Sequence, residues 1–86
     1  MIPLIKNLKN YTDHNKRIMI NLIELTINHD LRTYYSYSVN KYDTSLANPN
    51  DQNHPSLLEE EVFNSYKNAN EHFMGLIKVL ENDWNN

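Results

Sequence analysis

Two different periods run along this chain, and the change between them divides it. From Arg17 to Tyr42 the apolar positions alternate. Ile18, Ile20 and Leu22 fall on one side of an extended backbone, and Ile23, Leu25 and Ile27 on the other. Isoleucine dominates this run, and its branched side chain favours extended conformations. The spacing predicts a strand over Arg17–Asn28. Its two apolar faces have two explanations: cover on both sides, or a bulge near Leu22–Ile23 that returns the second set to the first face. Asn28-His29-Asp30 predicts a tight turn, because Asn and Asp tolerate left-handed backbone. Arg32–Tyr42 predicts the returning strand. Thr33, Tyr35, Tyr37 and Val39 make one face; Arg32, Tyr34, Ser36, Ser38, Asn40 and Tyr42 make a more polar one. The hairpin should pack its Tyr35–Val39 face inward.

After Pro55 the period lengthens. Leu58, Val62, Tyr66, Ala69, Phe73, Leu76, Leu80 and Trp84 recur at steps of three and four, the mark of an amphipathic helix. Ser56 followed by Glu59 reads as a capping box, and Glu59, Glu60 and Glu61 suit the positive end of a helix dipole. The expectation is one helix over residues 56–84. The alternative is a break near Asn64-Ser65, with Ser65 capping a second piece. Residues 2–11 fit two templates: Pro3, Leu4, Leu8 and Tyr11 suit a short helix, and Ile2, Leu4 and Leu8 suit a strand interrupted by Lys6. The helix is preferred. Residues 43–55 form a polar loop containing Pro49 and Pro55. The expected fold class is therefore α+β: one domain over residues 1–86, with an antiparallel hairpin or small sheet packed on a long C-terminal helix.

Length sharpens this picture. A chain of 86 residues buries a modest core. A helix of that length and a strand apolar on both faces exceed what one short chain can cover, so a homodimer is expected. Charge adds an asymmetry. Residues 1–42 carry a net +3 and residues 43–86 a net −6, so the halves can attract each other within the fold or offer two differently charged faces.

Chemistry is mostly excluded. There is no cysteine and only one glycine, Gly75. Disulfides, thiolate metal sites and glycine-rich phosphate loops are therefore not expected. His14, His29, His54 and His72 show no metal-ligand spacing. Neighbouring glutamates on a helix diverge, so Glu59–Glu61 cannot act as a facing acid/base pair. No catalytic residue, cofactor or metal is expected, and the chain reads as a non-enzyme. No apolar run approaches the ~20 residues of a membrane span, and residues 1–6 lack the features of a signal peptide. A cytoplasmic protein without membrane contact is expected.

What remains is contact surface. Tyr34 and Tyr42 share the polar hairpin face with Arg32, and tyrosine joins large contact area to a polar tip. With Asp43 and Asp51 of the loop and the acidic run Glu59, Glu60 and Glu61, they are the candidate partner-binding residues. Two function classes follow: a protein-binding module, and a nucleic-acid-binding regulator using the basic half and the tyrosines. The protein partner is preferred.

The Tyr-rich hairpin, the gap, and an acidic-started helix ending Leu-Glu-Asn-Asp-Trp-Asn-Asn are together similar to small phage or mobile-element proteins that inhibit bacterial defence systems, including anti-CRISPR proteins. The resemblance covers architecture and size, and no functional residue is carried across by it. It implies a stoichiometric inhibitor acting on a nuclease or effector complex in a host cytoplasm.

Overall fold

The structure, a computed structural model, describes residues 3–44 and 56–83. It is α+β. Four strands, β1 (Leu4–Asp13), β2 (Ile18–His29), β3 (Arg32–Asp43) and β4 (Ser56–Phe63), form an antiparallel meander in the order β1-β2-β3-β4. One helix, α1 (Tyr66–Asp83), packs across β2, β3 and β4.

The hairpin forms where the alternation places it. Ile18 pairs with Asp43 and His29 with Arg32, in unbroken register. The turn falls on Asp30 and Leu31, one residue beyond the Asn28–Asp30 expectation. Both have positive φ, 49° and 65°. Positive φ at both central positions is the signature of a type I′ turn, which matches the twist of the flanking strands.

Two expectations are corrected. The short helix expected over residues 2–11 is not found among the described ones; Leu4–Asp13 is edge strand β1. A bulge explains the misleading spacing. The β1–β2 register shifts between Asn7 and Lys9. The extra residue breaks strict alternation, and Leu4, Leu8 and Tyr11 then recur at helix-like steps of four and three. The bulge weighed near Leu22–Ile23 is absent from β2, whose second apolar set stays on the opposite face in unbroken register with β3; the register shift lies across from those residues, on β1.

The second correction concerns residues 56–84. Ser56–Phe63 is strand β4, paired with β3 from Tyr37↔Phe63 to Asp43↔Ser56. The helix begins after Ser65, as the alternative reading held. The Ser65 hydroxyl accepts from the Asn68 N–H at 3.2 Å, which caps the first turn. The Ser56/Glu59 capping box does not exist, and Glu59–Glu61 line an edge strand. Three adjacent carboxylates on an edge oppose pairing with a further chain. Trp84 and residues 45–55, including Asp51 and most of the expected loop, lie outside the described residues.

The core lies between the helix and one sheet face. Ile20, Leu22 and Val39 meet Ala69, Phe73, Ile77 and Leu80, with Leu8, Tyr11, Ile18, Tyr37, Phe63 and Leu76 around them. Each fully buried side chain of this size contributes about 1.5–3 kcal/mol. Two lysines tie the layers together. Lys9 Nζ donates to Asn70 Oδ1 at 2.6 Å and stands 5.9 Å from the Tyr66 ring centroid. Lys16 Nζ donates to the Leu80 carbonyl, placing a cation at the negative end of the helix. Asp13, nearly buried, accepts from the N–H groups of Asn15 and Lys16 and closes the β1–β2 turn.

The helix is shorter than the sheet. Eighteen residues of α1 span about 27 Å, whereas the twelve of β2 span about 40 Å. Core contacts involve Ile18 to Leu22 of β2 and Tyr37 to Val39 of β3. The far end of the β2–β3 hairpin extends past them as an arm. The described residues form a thin body, 50 × 33 × 15 Å.

Candidate functional site

Register decides which side chains share a face. On the helix side stand Ile18, Ile20, Leu22, Glu24 and Thr26 of β2, with Asp43, Lys41, Val39, Tyr37 and Tyr35 opposite them on β3. The outer face carries Met19, Asn21, Ile23, Leu25, Ile27 and His29 of β2, with Arg32, Tyr34, Ser36, Ser38, Asn40 and Tyr42 opposite. Ile5 joins this face through Leu25, Val62 through Ser38, and Leu57 through Tyr42.

No described element covers the outer face. Ile5, Ile27, Tyr34, Leu57 and Val62 are each at least 40% exposed on it. Among the described strand residues, only Arg32 and Glu60 give it a formal charge. A polar row crosses its middle: Asn10, Asn21, Asn40 and Glu60 lie side by side on four strands. Asn40 Nδ2 donates to Asn21 Oδ1, and Ser38 Oγ donates to Asn40 Oδ1, both at 3.1 Å. Asn40 and Ser38 are almost completely buried, so these bonds replace water they cannot reach.

The candidate binding residues divide between the faces. Arg32, Tyr34, Tyr42 and Glu60 are on the outer face. Asp43, Glu59 and Glu61 are on the helix side. Arg32 and Tyr34 sit near the hairpin tip, and Tyr42 lies at the opposite end of the same strand. The acidic run is thus not one patch, because strand geometry sends successive side chains to opposite faces. Asp51 lies outside the described residues. Sequence reasoning passed over Ile5, Ile27, Leu57 and Val62 as contact residues. For Ile27 the signal was present in the second apolar set of β2, for which cover on both sides and a bulge were both open explanations.

The arm ends in a further feature. Leu31 is fully exposed at the turn, with φ of 65°. A bulky side chain rarely adopts left-handed backbone, and glycine or asparagine usually fills such a position. Strained residues of this kind cluster at binding and switch sites.

A second cluster joins β4 to the helix. Glu59 and Glu61, two apart on the helix side of the strand, face His72. His72 Nε2 lies 3.5 Å from Glu59 Oε1 and 3.9 Å from Glu61 Oε2. The imidazole packs on Phe63, with ring centroids 5.3 Å apart. Nε2 is buried and has no hydrogen-bond partner. No spacing in the sequence links residues 59 and 61 to 72; the fold brings them together. Among the described residues, no helix is long and apolar enough to cross a membrane.

The chain matches no protein-family model, no curated protein and no solved structure.

Proposed function

We propose that this chain is a non-enzymatic binding module that holds a protein partner against the outer face of its sheet and the tip of its hairpin arm. One observation carries the reading: a broad sheet face, nearly free of charge, has large apolar and aromatic side chains exposed, and no described element lies over it. Sheet faces in small domains are stabilised by a second layer, and large exposed apolar patches mark interaction sites. Strands of 10, 12, 12 and 8 residues, at about 3.3 Å per residue and about 4.8 Å spacing, present about 670 Å², within the roughly 600–1,000 Å² per partner of a stable protein interface. Tyr34 and Tyr42 supply aromatic anchors and Arg32 a charged rim.

The resemblance to small inhibitors of bacterial defence systems directs this reading to a nuclease or effector complex, such as a CRISPR-type complex, blocked stoichiometrically in the host cytoplasm. A second copy of the chain is the other occupant of suitable shape, because a face with few charges meets little repulsion from itself. Nucleic acid fits less well. Arg32 is the one Lys or Arg among the described strand residues of the outer face, and phosphate recognition rests on several such contacts.

The test is titration of purified CRISPR effector nucleases with the protein, with sedimentation of the protein alone. Cleavage by a susceptible effector should fall to zero near one equivalent. The double variant Ile27→Lys with Val62→Lys, folded as judged by circular dichroism, should not inhibit. A parent that sediments as a dimer which this variant dissociates would assign the face to self-association. Inhibition by the variant equal to that by the parent would reject the face. Steeply salt-dependent binding to DNA or RNA would favour the nucleic-acid alternative.

A further inference from the structure

We propose that Glu59, Glu61 and His72 form a binding site for a divalent cation of the zinc type, separate from the outer face and independent of its function. The observation that singles them out is the His72 nitrogen. Nε2 is buried without a hydrogen-bond partner, yet its neighbours at 3.5 and 3.9 Å are carboxylate oxygens. A hydrogen bond would draw an N–H to about 2.7–3.2 Å from such an oxygen. The separations instead approach the edge of a coordination tetrahedron, about 3.3–3.5 Å for metal–ligand bonds of about 2.0–2.1 Å. The ligand atoms of all three residues lie within 4.8 Å of one another. Glu61 is the most exposed of the three, and rotation of its side chain closes the remaining gap.

The donor set selects the ion. An imidazole nitrogen suits zinc, nickel, copper or iron. Two carboxylates are too few for calcium, which takes six to eight oxygens. Three protein ligands leave a fourth position for water. Charge balance is suitable as well. Lys41 pairs with Glu59 across the strands on the same face, so the immediate surroundings keep a net negative charge for the cation to neutralise.

The scaffold holds the ligands from two elements. Glu59 and Glu61 come from β4, whose pairing with β3 sends both to the helix side. His72 comes from the second turn of α1, where Phe63 limits the ring's rotation. A bound ion would clamp edge strand β4 to the helix.

The experiment uses tag-free full-length protein. Zinc affinity is measured by competition with a chromophoric chelator, and cobalt is added as a spectroscopic probe. One equivalent of zinc should bind, and cobalt should give the visible bands of a four-coordinate site with a nitrogen ligand. Glu61→Gln and His72→Gln should each weaken zinc by at least the roughly 10–100-fold typical of losing a supporting group around a metal. His14→Gln and His29→Gln should leave affinity unchanged. His29 is the control of choice because it contacts a single carboxylate, Asp30, at 3.2 Å. Glu61 is exposed, so its variant keeps the test valid if His72→Gln fails to fold. Absence of stoichiometric zinc binding would overturn the site. So would binding that survives Glu61→Gln, or that is lost in His29→Gln.

Discussion

The two faces of this sheet invert the usual arrangement. The covered side carries most of the strand charges: Lys6, Lys9, Asp13, Glu24, Lys41, Asp43, Glu59 and Glu61 ring the apolar core there. The bare side carries Arg32 and Glu60. A sheet face meant for water alternates polar-out against apolar-in. Here β2 is apolar on both faces, and among the described residues no element packs against the second. The charges on the helix side have work within the fold, as when Lys9 and Lys16 reach side-chain and carbonyl oxygens of α1. The outer face has the composition of an interior and the position of a surface. The proposed function rests on this contrast: the partner would supply the missing layer.

Matched truncations test that contrast most directly. Phe73 is buried at the centre of the core, so Phe73→Ala should cost about 3–5 kcal/mol and shift urea unfolding sharply. On the outer face, Ile27→Ala should change monomer stability by under about 1 kcal/mol while weakening capture of the partner. Equal losses of stability at both sites would mean the bare face is already covered in solution, as in a dimer, and the unfolding midpoint would then depend on protein concentration.

Two single-residue changes probe positions where local stability is below its optimum. Leu31→Gly removes a side chain from left-handed backbone, a strain of roughly 1–2 kcal/mol. Part of that gain is lost to the greater freedom of glycine in the unfolded chain. A net stabilisation of about 1 kcal/mol should appear in urea unfolding. If Leu31 anchors the partner, dissociation should quicken in the same variant. Gly75 is interior to the helix, and a Cβ there would meet nothing within 4 Å. Gly75→Ala should stabilise by about 0.5–1 kcal/mol and leave outer-face binding unchanged.

The legible parts of the fold were those governed by local pattern. Each limit of the hairpin strands falls within one residue of its expected position, and the division of β3 into Thr33–Val39 and Arg32–Tyr42 faces holds. The helix from Ser65 onward follows from Ala69, Phe73 and Leu80. The misread segments depend on distant pairing. Leu58 and Val62, four apart, fit a helix as well as a strand, and the glutamates between them are good helix formers. Pairing with β3 decides the matter, and no local signal carries it. In β1 the bulge after Asn7 gives a strand the spacing of a helix. The candidate surface was half visible. Arg32, Tyr34 and Tyr42 do share a face with Glu60, but Glu59 and Glu61 could not be assigned to the other side before Ser56–Phe63 was known to be a strand. The meeting of those two residues with His72 depends on the same pairing.

The smallest expected effect is a decline in stability at alkaline pH that originates on the covered side. The Tyr37 hydroxyl is held above its ordinary pKa, first by burial, then by the charge of Glu24 and by its hydrogen bond to that carboxylate. Tyr11 is raised by burial, then by the charges of Asp13 and Glu81. Both groups therefore keep their protons longer in the folded protein than in the unfolded chain. Their contribution is complete below about pH 10, where unfolded tyrosine titrates. It is lost as the pH climbs through the raised folded values, because the unfolded chain then binds fewer protons than the native state. Lysines titrate in the same range, so the measurement is a difference between proteins. Urea midpoints of the parent, Tyr11→Phe and Tyr37→Phe are followed from about pH 8 to 11. The parent should lose stability more steeply above pH 10 than either variant, whatever the baseline cost of the lost hydroxyl. Parallel slopes for all three would show that these tyrosines titrate alike in both states, and that the covered face is wetter at Tyr11 and Tyr37 than its packing indicates.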